Sequence, residues 1–360
     1  MKKAVKRIFV VVACLLALVF LAAGSYVVYM FADYSRLEDS LPLEIVGSRT
    51  DLLPAGEEQT LITWNLGFGA YSRDYSFFMD GGKESRARSS EDVYENIGGA
   101  LERLSQLNPD LMLLQEIDVD ATRSHHIDQS ALVNGAFPDM NSIFAQNYDS
   151  GYLFYPLTEP HGASRSGLMT LSDYAVDSSL RRSLPVETDF MKFFDLDRCY
   201  SVSRIPTDNG RTLCLYNLHL SAYTSDGTIA SQQLNLLLAD MAAELAAGNY
   251  VIAGGDFNKD LPGNSSEIFG VSCEGLTWAQ PIDRTAIPEG FSLVDSVNSE
   301  APVPSCRNAD QPYSPGETFV LTVDGFIVSE NIEVLSAHVS DEGFAFSDHN
   351  PVVMTFLLKP

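Results

Sequence analysis

The chain has 360 residues, with 23 Lys+Arg against 48 Asp+Glu and 45% hydrophobic residues. This is ordinary globular composition, which excludes disordered, collagenous and disulfide-knot classes. Four of the 23 basic residues, Lys2, Lys3, Lys6 and Arg7, precede the first acidic residue, Asp33. The rest is therefore acidic enough to repel nucleic-acid phosphates unless metal ions or a local basic strip offset the field.

Ile8 to Phe31 (IFVVVACLLALVFLAAGSYVVYMF) carries no charge. At about 1.5 Å per helical residue this run crosses the roughly 30 Å hydrocarbon layer. A cleaved signal peptide is the competing reading, but the run continues past Ala22, Ala23 and Gly24, beyond the ~7 to 15 apolar residues of that class. VVAC at 11–14 loosely resembles a bacterial lipoprotein box, yet most of the apolar run lies after Cys14. The basic residues before the span keep residues 1–7 cytoplasmic and export the remainder of the chain. Residues 1–31 are thus expected to form a basic tip and transmembrane anchor, 32–58 (with Pro42 and Pro54) a polar stalk, and 59–360 one folded domain. In an oxidising compartment Cys199, Cys214, Cys273 and Cys306 could form two disulfides, and four unpaired thiols fit equally well; a zinc knuckle is excluded by their spacing.

Within the domain, short apolar strands and amphipathic helices alternate. The pattern predicts a strand at 60–67, a helix at 91–107 opened by Ser90, and strands at 110–115, 167–172, 199–205 and 211–219. A helix from Thr228 to Ala247 comes next, which Gly248 can end in a left-handed conformation, and then the strand YVIAGG. Further strands are expected near 291–297, 319–328 and 351–357, with a Pro-rich loop at 299–316. Few long helices and hairpin-like neighbours suit a mixed-sheet sandwich with helices outside.

Several apolar strands end in residues that carry chemistry. Asn65 closes TWN, Glu116 closes LLQE, His219 closes YNLH, Asp256 and Asn258 follow IAGG, Asp324 interrupts LTVDGFIV, and Asp348-His349 precede the last strand. Singly, each has an ordinary explanation: a turn residue, a solvated loop, an Asx turn, a core histidine. Together they supply an oxygen-rich site for a hard cation that keeps several waters, such as Mg²⁺, and two histidines able to move protons near neutral pH. GxSxG, Walker and HExxH motifs are missing, which removes the support for acyl-transfer, P-loop and zinc-protease chemistry.

The order N, QE, NLH, GGDFN, VDGFIVS and SDHNPV, over residues 59–358, resembles the endonuclease/exonuclease/phosphatase superfamily of metal-dependent phosphoesterases, which includes pancreatic-type deoxyribonuclease and neutral sphingomyelinase. The resemblance implies an α/β fold, a four-layer αββα sandwich of two mixed sheets with the site at one edge. It also implies Glu116 as principal Mg²⁺ ligand, with Mn²⁺ as a substitute, Asn65 beside it, and Asp348 ligating the ion or orienting His349. Asp256 would position and deprotonate the attacking water, and Asn258 would hold a phosphoryl oxygen. His349, polarised by Asp348, would donate to the phosphate. His219, oriented by Asp324, would bind the phosphate or protonate the leaving oxygen, and either histidine can be the acid. Arg198 stands where several members carry a phosphate-binding base.

The expected substrate is a phosphoester: a lipid headgroup, a small molecule or nucleic acid. Acidity and short basic groups, Arg86-Ala87-Arg88 and Arg181-Arg182, argue against tight DNA binding. An extracellular nuclease and a non-catalytic membrane-tethered binding domain are the alternatives; the second sits poorly with motifs that are all intact. No obligate protein partner is inferred.

Overall fold

The computed structural model describes residues 2–188, 190–193, 197–222, 228–272, 278, 280–297 and 300–360. The apolar runs bury both of their faces. Leu111 and Leu113 enter one hydrophobic cluster while Met112 and Leu114, on the opposite face, enter another. A strand covered on both sides reads as a continuous apolar run, because alternate side chains point to opposite faces and both need apolar neighbours.

Five helices are described: α1 (Lys2–Asp33), α2 (Ser90–Leu107), α3 (Gln129–Ala136), α4 (Thr228–Ala246) and α5 (Ser265–Phe269). The strands are β1 (Leu41–Pro42), β2 (Ile45–Val46), β3 (Gln59–Asn65), β4 (Leu111–Ala121), β5 (Asn141–Leu153), β6 (Gly162–Ser172), β7 (Ser178–Ser183) and β8 (Cys199–Pro206). They continue with β9 (Thr212–His219), β10 (Tyr250–Asp256), β11 (Phe291–Leu293), β12 (Cys306–Arg307), β13 (Val320–Leu321), β14 (Asp324–Ser329), β15 (Ile332–Val339) and β16 (Val352–Leu358). One seven-stranded sheet runs β1-β7-β8-β9-β10-β14-β11 and the other β15-β16-β3-β4-β6-β5-β2. Both are mixed: β9–β10 and β3–β4 are parallel, and the other pairs are antiparallel.

Leu61, Leu113, Leu215, Ile252, Phe326 and Met354 fill the space between the sheets. The outer face of the second sheet packs Trp64, Met112 and Leu114 against Val93, Ile97 and Leu104 of α2 and Val133 of α3. The outer face of the first packs Tyr216, Val251 and Ala253 against Leu234, Leu237 and Met241 of α4. The layers are α, β, β, α. A polar crosslink joins the sheets beneath the site: the Gln115 side-chain amide donates to Asn217 Oδ1 at 2.9 Å, and the Asn217 amide donates to the Met169 carbonyl at 3.0 Å.

The segment expected to be a stalk is part of the domain. β1 and β2 cover the open edges of the two sheets by pairing with β7 and β5, Leu53 is fully buried, and Arg36 binds Asp197 at 2.5 Å. Unpaired sheet edges favour such covering pieces. Helix α2 begins one residue earlier than expected, because Ser89 is its cap and accepts from Asp92 N at 3.1 Å. Gly248 adopts φ +88, the left-handed conformation expected after α4. The apolar run at 319–328 splits at Thr322 and Val323, whose carbonyls accept from Leu261 N and Phe257 N, so β13 pairs with β12 in a separate two-stranded sheet while β14 joins the first seven-stranded sheet. Cys199, Cys214 and Cys306 are free, buried thiols whose pKa burial pushes up to about 12; Cys273 lies outside the described residues.

Candidate active site

Strand register builds the site. His219 on β9, Asp256 on β10 and Asp324 on β14 stand opposite one another in a single row across the first sheet. In the second sheet Asn65 ends β3 opposite Gln115, so Glu116 emerges at the same edge. His349 and Asp348 immediately precede β16, which pairs with β3. Glu116, His219, Asp256, Asn258, Asp348, His349 and Arg198 all line one cleft of about 170 Å³.

Two local backbone features aim these groups. Glu116 has φ +57, inside the irregularity of the β4–β6 ladder between Leu114 and Ile117. A left-handed non-glycine residue is strained, and a bulge of this kind re-aims a side chain. Gly255 has φ +144, and a Cβ there would lie 2.0 Å from the Leu218 carbonyl oxygen. Only glycine lets β9 and β10 close at this point.

Asn65 ties the two sheets together: its amide donates to Glu116 Oε1 at 3.2 Å and to Asp256 Oδ2 at 3.1 Å. The second Asp256 oxygen accepts from Asn258 N at 2.8 Å. Asn258, at φ +50, also donates through its side-chain amide to the Leu220 carbonyl at 2.7 Å, which uses one of its two amide hydrogens. His219 Nε2 is 3.5 Å from Asp256 Oδ2 and 4.0 Å from Glu116 Oε1.

The histidine–carboxylate pairing differs from the one implied by the family resemblance. Asp324 does not orient His219, because Asp256 stands between them in the row; the buried His219 Nδ1 has no hydrogen-bond partner among the described residues. Asp324 Oδ2 reaches across to His349 Nδ1 at 2.8 Å and also accepts from Ser305 Oγ at 2.7 Å. The His349 ring is therefore hydrogen-bonded by Asp324 and not by Asp348, whose Oδ1 sits 3.3 Å from Ser347 Oγ.

The two imidazoles are driven apart electrostatically. Burial alone would lower the His349 pKa, but the charges of Asp324 and Asp348 and the Asp324 hydrogen bond outweigh it and hold the ring well above its usual value. Burial lowers His219 well below its usual value, and the charges of Arg198, His349 and Arg123 add to this. At neutral pH the site thus holds one imidazolium and one neutral imidazole.

The carboxylates show what the cleft is built to receive. Burial raises the pKa of Asp256, Glu116 and Asp348, with Asp324 adding to the shift at Asp256 and Asp348 adding to it at Glu116. Buried carboxylates whose charged forms are disfavoured are the condition a bound cation relieves, and their oxygen donors suit a hard divalent ion. Asp256, Asp324 and His349 each present a ligand-capable atom within 4.8 Å of the others. Because the His349–Asp324 hydrogen bond already uses that imidazole and keeps it protonated, the oxygens of Glu116, Asp348 and Asn65 fit such an ion better.

Arg123, Arg307 and Cys306 are among the cleft residues to which the sequence assigned no role there. Arg123 lines the cleft, is held by a two-point contact with Asp118 (3.0 and 2.8 Å) and lies over the Phe68 ring at 4.1 Å. Arg307, almost fully buried, donates to the carbonyls of Ser72 and Tyr75 at 3.1 and 3.2 Å. Cys306 Sγ is 3.5 Å from His349 Nε2. A single arginine or cysteine outside a longer apolar strand carries no sequence signal; only folding shows the convergence. With Arg198 they give the cleft of an acidic protein three arginines, a fitting lining for a phosphate.

Comparison with known proteins agrees. Residues 62–349 match the model of the Endonuclease/Exonuclease/phosphatase family. No curated protein sequence matches the chain. Among solved structures, the endonuclease/exonuclease/phosphatase from Beutenbergia cavernae DSM 12333 is similar at a TM-score of 0.59 and 18% identity, over 84% of this chain and 72% of that one. ANGEL2, a 2′,3′-cyclic phosphatase solved with adenosine-2′,3′-vanadate, is similar at a TM-score of 0.55 and 16% identity, over 88% of this chain and 99% of that one. The human Nocturnin catalytic domain with bound sulfate gives a TM-score of 0.51 and 18% identity, over 88% and 98%. With its two mixed sheets, its family match over most of its length and its acid–histidine cluster at one sheet edge, the chain belongs to the Endonuclease/Exonuclease/phosphatase family.

Proposed function

We propose that the protein hydrolyses a phosphoester with the help of a divalent cation, Mg²⁺ or Mn²⁺, held by Glu116, Asp348 and Asn65. The observation that carries this reading is the row His219, Asp256, Asp324 facing Glu116 and His349 across one cleft. The cation would neutralise charge that builds on the phosphoryl oxygens during attack. Asp256 is the base: with Oδ1 held by Asn258 N and Oδ2 by Asn65, it can orient a water and take its proton. His349, kept protonated by Asp324, donates a charged hydrogen bond to the phosphate. Its Nε2 lies 3.9 Å from Asp256 Oδ2, too far for a direct hydrogen bond. Neutral His219, the remaining Asn258 amide hydrogen and Arg198 complete the phosphate's contacts.

The membrane context belongs to the same proposal. Among the described residues one helix, within α1, is long and apolar enough to cross a membrane. Its last turns pack on the domain: Met30 is buried with Leu153 and Phe193, and Tyr26 Oη donates to the Tyr152 carbonyl at 3.0 Å. A segment destined for cleavage has no use for such contacts, which favours a retained anchor with residues 1–7 cytoplasmic and the domain outside the cell membrane.

The test uses the full chain in lipid nanodiscs with Mg²⁺ or EDTA. The substrates are plasmid DNA, single-stranded RNA, a nucleoside 2′,3′-cyclic phosphate, phospholipid vesicles and a chromogenic phosphodiester. Hydrolysis of at least one class, abolished by EDTA and by Asp256→Ala, is expected. A folded, Mg²⁺-binding protein inert on all of them would overturn the reading in favour of a binding domain.

A further inference from the structure

The loop joining β5 to β6 is the most apolar exposed feature of the described domain: Phe154, Tyr155 and Leu157 are 51%, 67% and 84% exposed. It stands against the exit end of α1. The Tyr26 ring packs edge-on against Phe154 at 5.2 Å, Tyr152 N donates to Tyr29 Oη at 2.9 Å, and Tyr26 Oη donates to the Tyr152 carbonyl. At ~1.5 Å per residue Tyr26 lies roughly 7 to 8 Å along the helix from Phe31, so its neighbour Phe154 sits at the depth of the headgroup–acyl boundary. On the other side of the helix end, Lys192 Nζ lies 5.5 Å from the centroid of the Phe31 ring and 4.8 Å from that of Tyr34. Tyrosines and a lysine gathered around the end of a spanning helix are what a membrane interface selects.

The last residue of the same loop, His161, lines the cleft, while the tip of the loop stays outside the lining. The Tyr155 ring is 5.7 Å from Phe78, and Phe78 is 6.0 Å from His161, which lines the cleft with Phe77 and the 49%-exposed Met79. We propose that the tip Phe154–Tyr155–Leu157 embeds in the surface of the bilayer crossed by α1 and holds the mouth of the cleft against that surface. The enzyme then works on phosphoesters displayed on its own membrane. This rests on the retained anchor and deepens the proposed phosphoesterase reading. The occupant is lipid because the tip is continuous with the spanning helix; a second copy or a protein partner is what the test would otherwise reveal.

The full chain is placed in nanodiscs with lipids brominated in their tails, and a tryptophan is introduced by Leu157→Trp. Val46→Trp, on β2 at the opposite end of β5, is the control, and the unmutated chain supplies the background of Trp64 and Trp278. Leu157→Trp should be quenched by the brominated lipid and shielded from aqueous iodide, while Val46→Trp behaves oppositely. Equal behaviour of the two overturns the proposal. So does shielding from iodide without lipid quenching, which would assign the tip to protein. This readout needs no turnover, so its failure is distinct from a failure of the catalytic reading. If a substrate is found, Phe154→Ser with Leu157→Ser should cut hydrolysis of the vesicle-borne ester on the order of tenfold and leave a soluble phosphodiester unchanged. Equal loss on both would contradict it.

Discussion

Asp324→Asn is the sharpest perturbation of the site, because it removes one charge and keeps the shape. Asp324 Oδ2 lies 2.8 Å from His349 Nδ1. At an effective dielectric of about 20, unit charges at that separation attract by roughly 6 kcal/mol. The cost of burying both ions subtracts from this. Whatever part survives is lost in Asp324→Asn, and the His349 pKa falls with it. The imidazolium that donates to the phosphate is then depleted, and kcat/KM should fall on the order of 10² to 10⁴-fold with the fold intact. The assay is the pH profile of kcat/KM beside the histidine NMR titration of the metal-free chain, for Asp324→Asn and Asp348→Asn. The reasoning is refuted if Asp324→Asn leaves the His349 titration in place while Asp348→Asn moves it, which would restore the pairing implied by the family resemblance.

Gly255→Ala should fail to fold or lose more than ~3 kcal/mol, because φ +144 and a Leu218 oxygen 2.0 Å from the new Cβ combine backbone strain with a clash; a urea midpoint close to that of the unmutated chain would contradict this. Asp256 has its pKa raised by burial and by Asp324, so in the metal-free protein its ionisation opposes folding above its unfolded value of about 4 and the cost is complete above its folded value. Asp256→Asn should therefore stabilise the metal-free chain by roughly 1 to 2 kcal/mol at pH 8 and much less at pH 5, while abolishing turnover; the difference in denaturation midpoints at the two pH values measures it. Mg²⁺ should raise the melting temperature of the unmutated protein more at pH 8 than at pH 5, and Glu116→Gln should remove most of that increment.

What was legible in the sequence was what local pattern controls. Continuous apolar runs marked β3, β9, β10 and β16, since both faces of these strands are buried. The strands not foreseen are those with polar or irregular runs. β5 (NSIFAQNYDSGYL) carries two register shifts, β7 (SSLRRS) offers little apolar surface, and β15 leaves Glu333 exposed and Leu335 43% exposed. The residues that line the cleft were legible as chemistry at strand ends, but their pairing was not. Which carboxylate serves which histidine depends on Asp256 lying between His219 and Asp324 in the sheet and on His349 arriving from the other sheet. Neither can be deduced from order along the chain. Arg123 and Arg307 belong to the same class, since each is held by partners, Asp118 and the Ser72 carbonyl, that only the assembled domain brings to the cleft.

The central claim, that water held by Asp256 attacks phosphorus, is tested most directly by running the hydrolysis in ¹⁸O-water and weighing both products. The account predicts one solvent oxygen in the phosphate-bearing product, none in the released alcohol, and no labelled product with Asp256→Asn. Solvent oxygen in the alcohol, or undiminished labelling with Asp256→Asn, would contradict it.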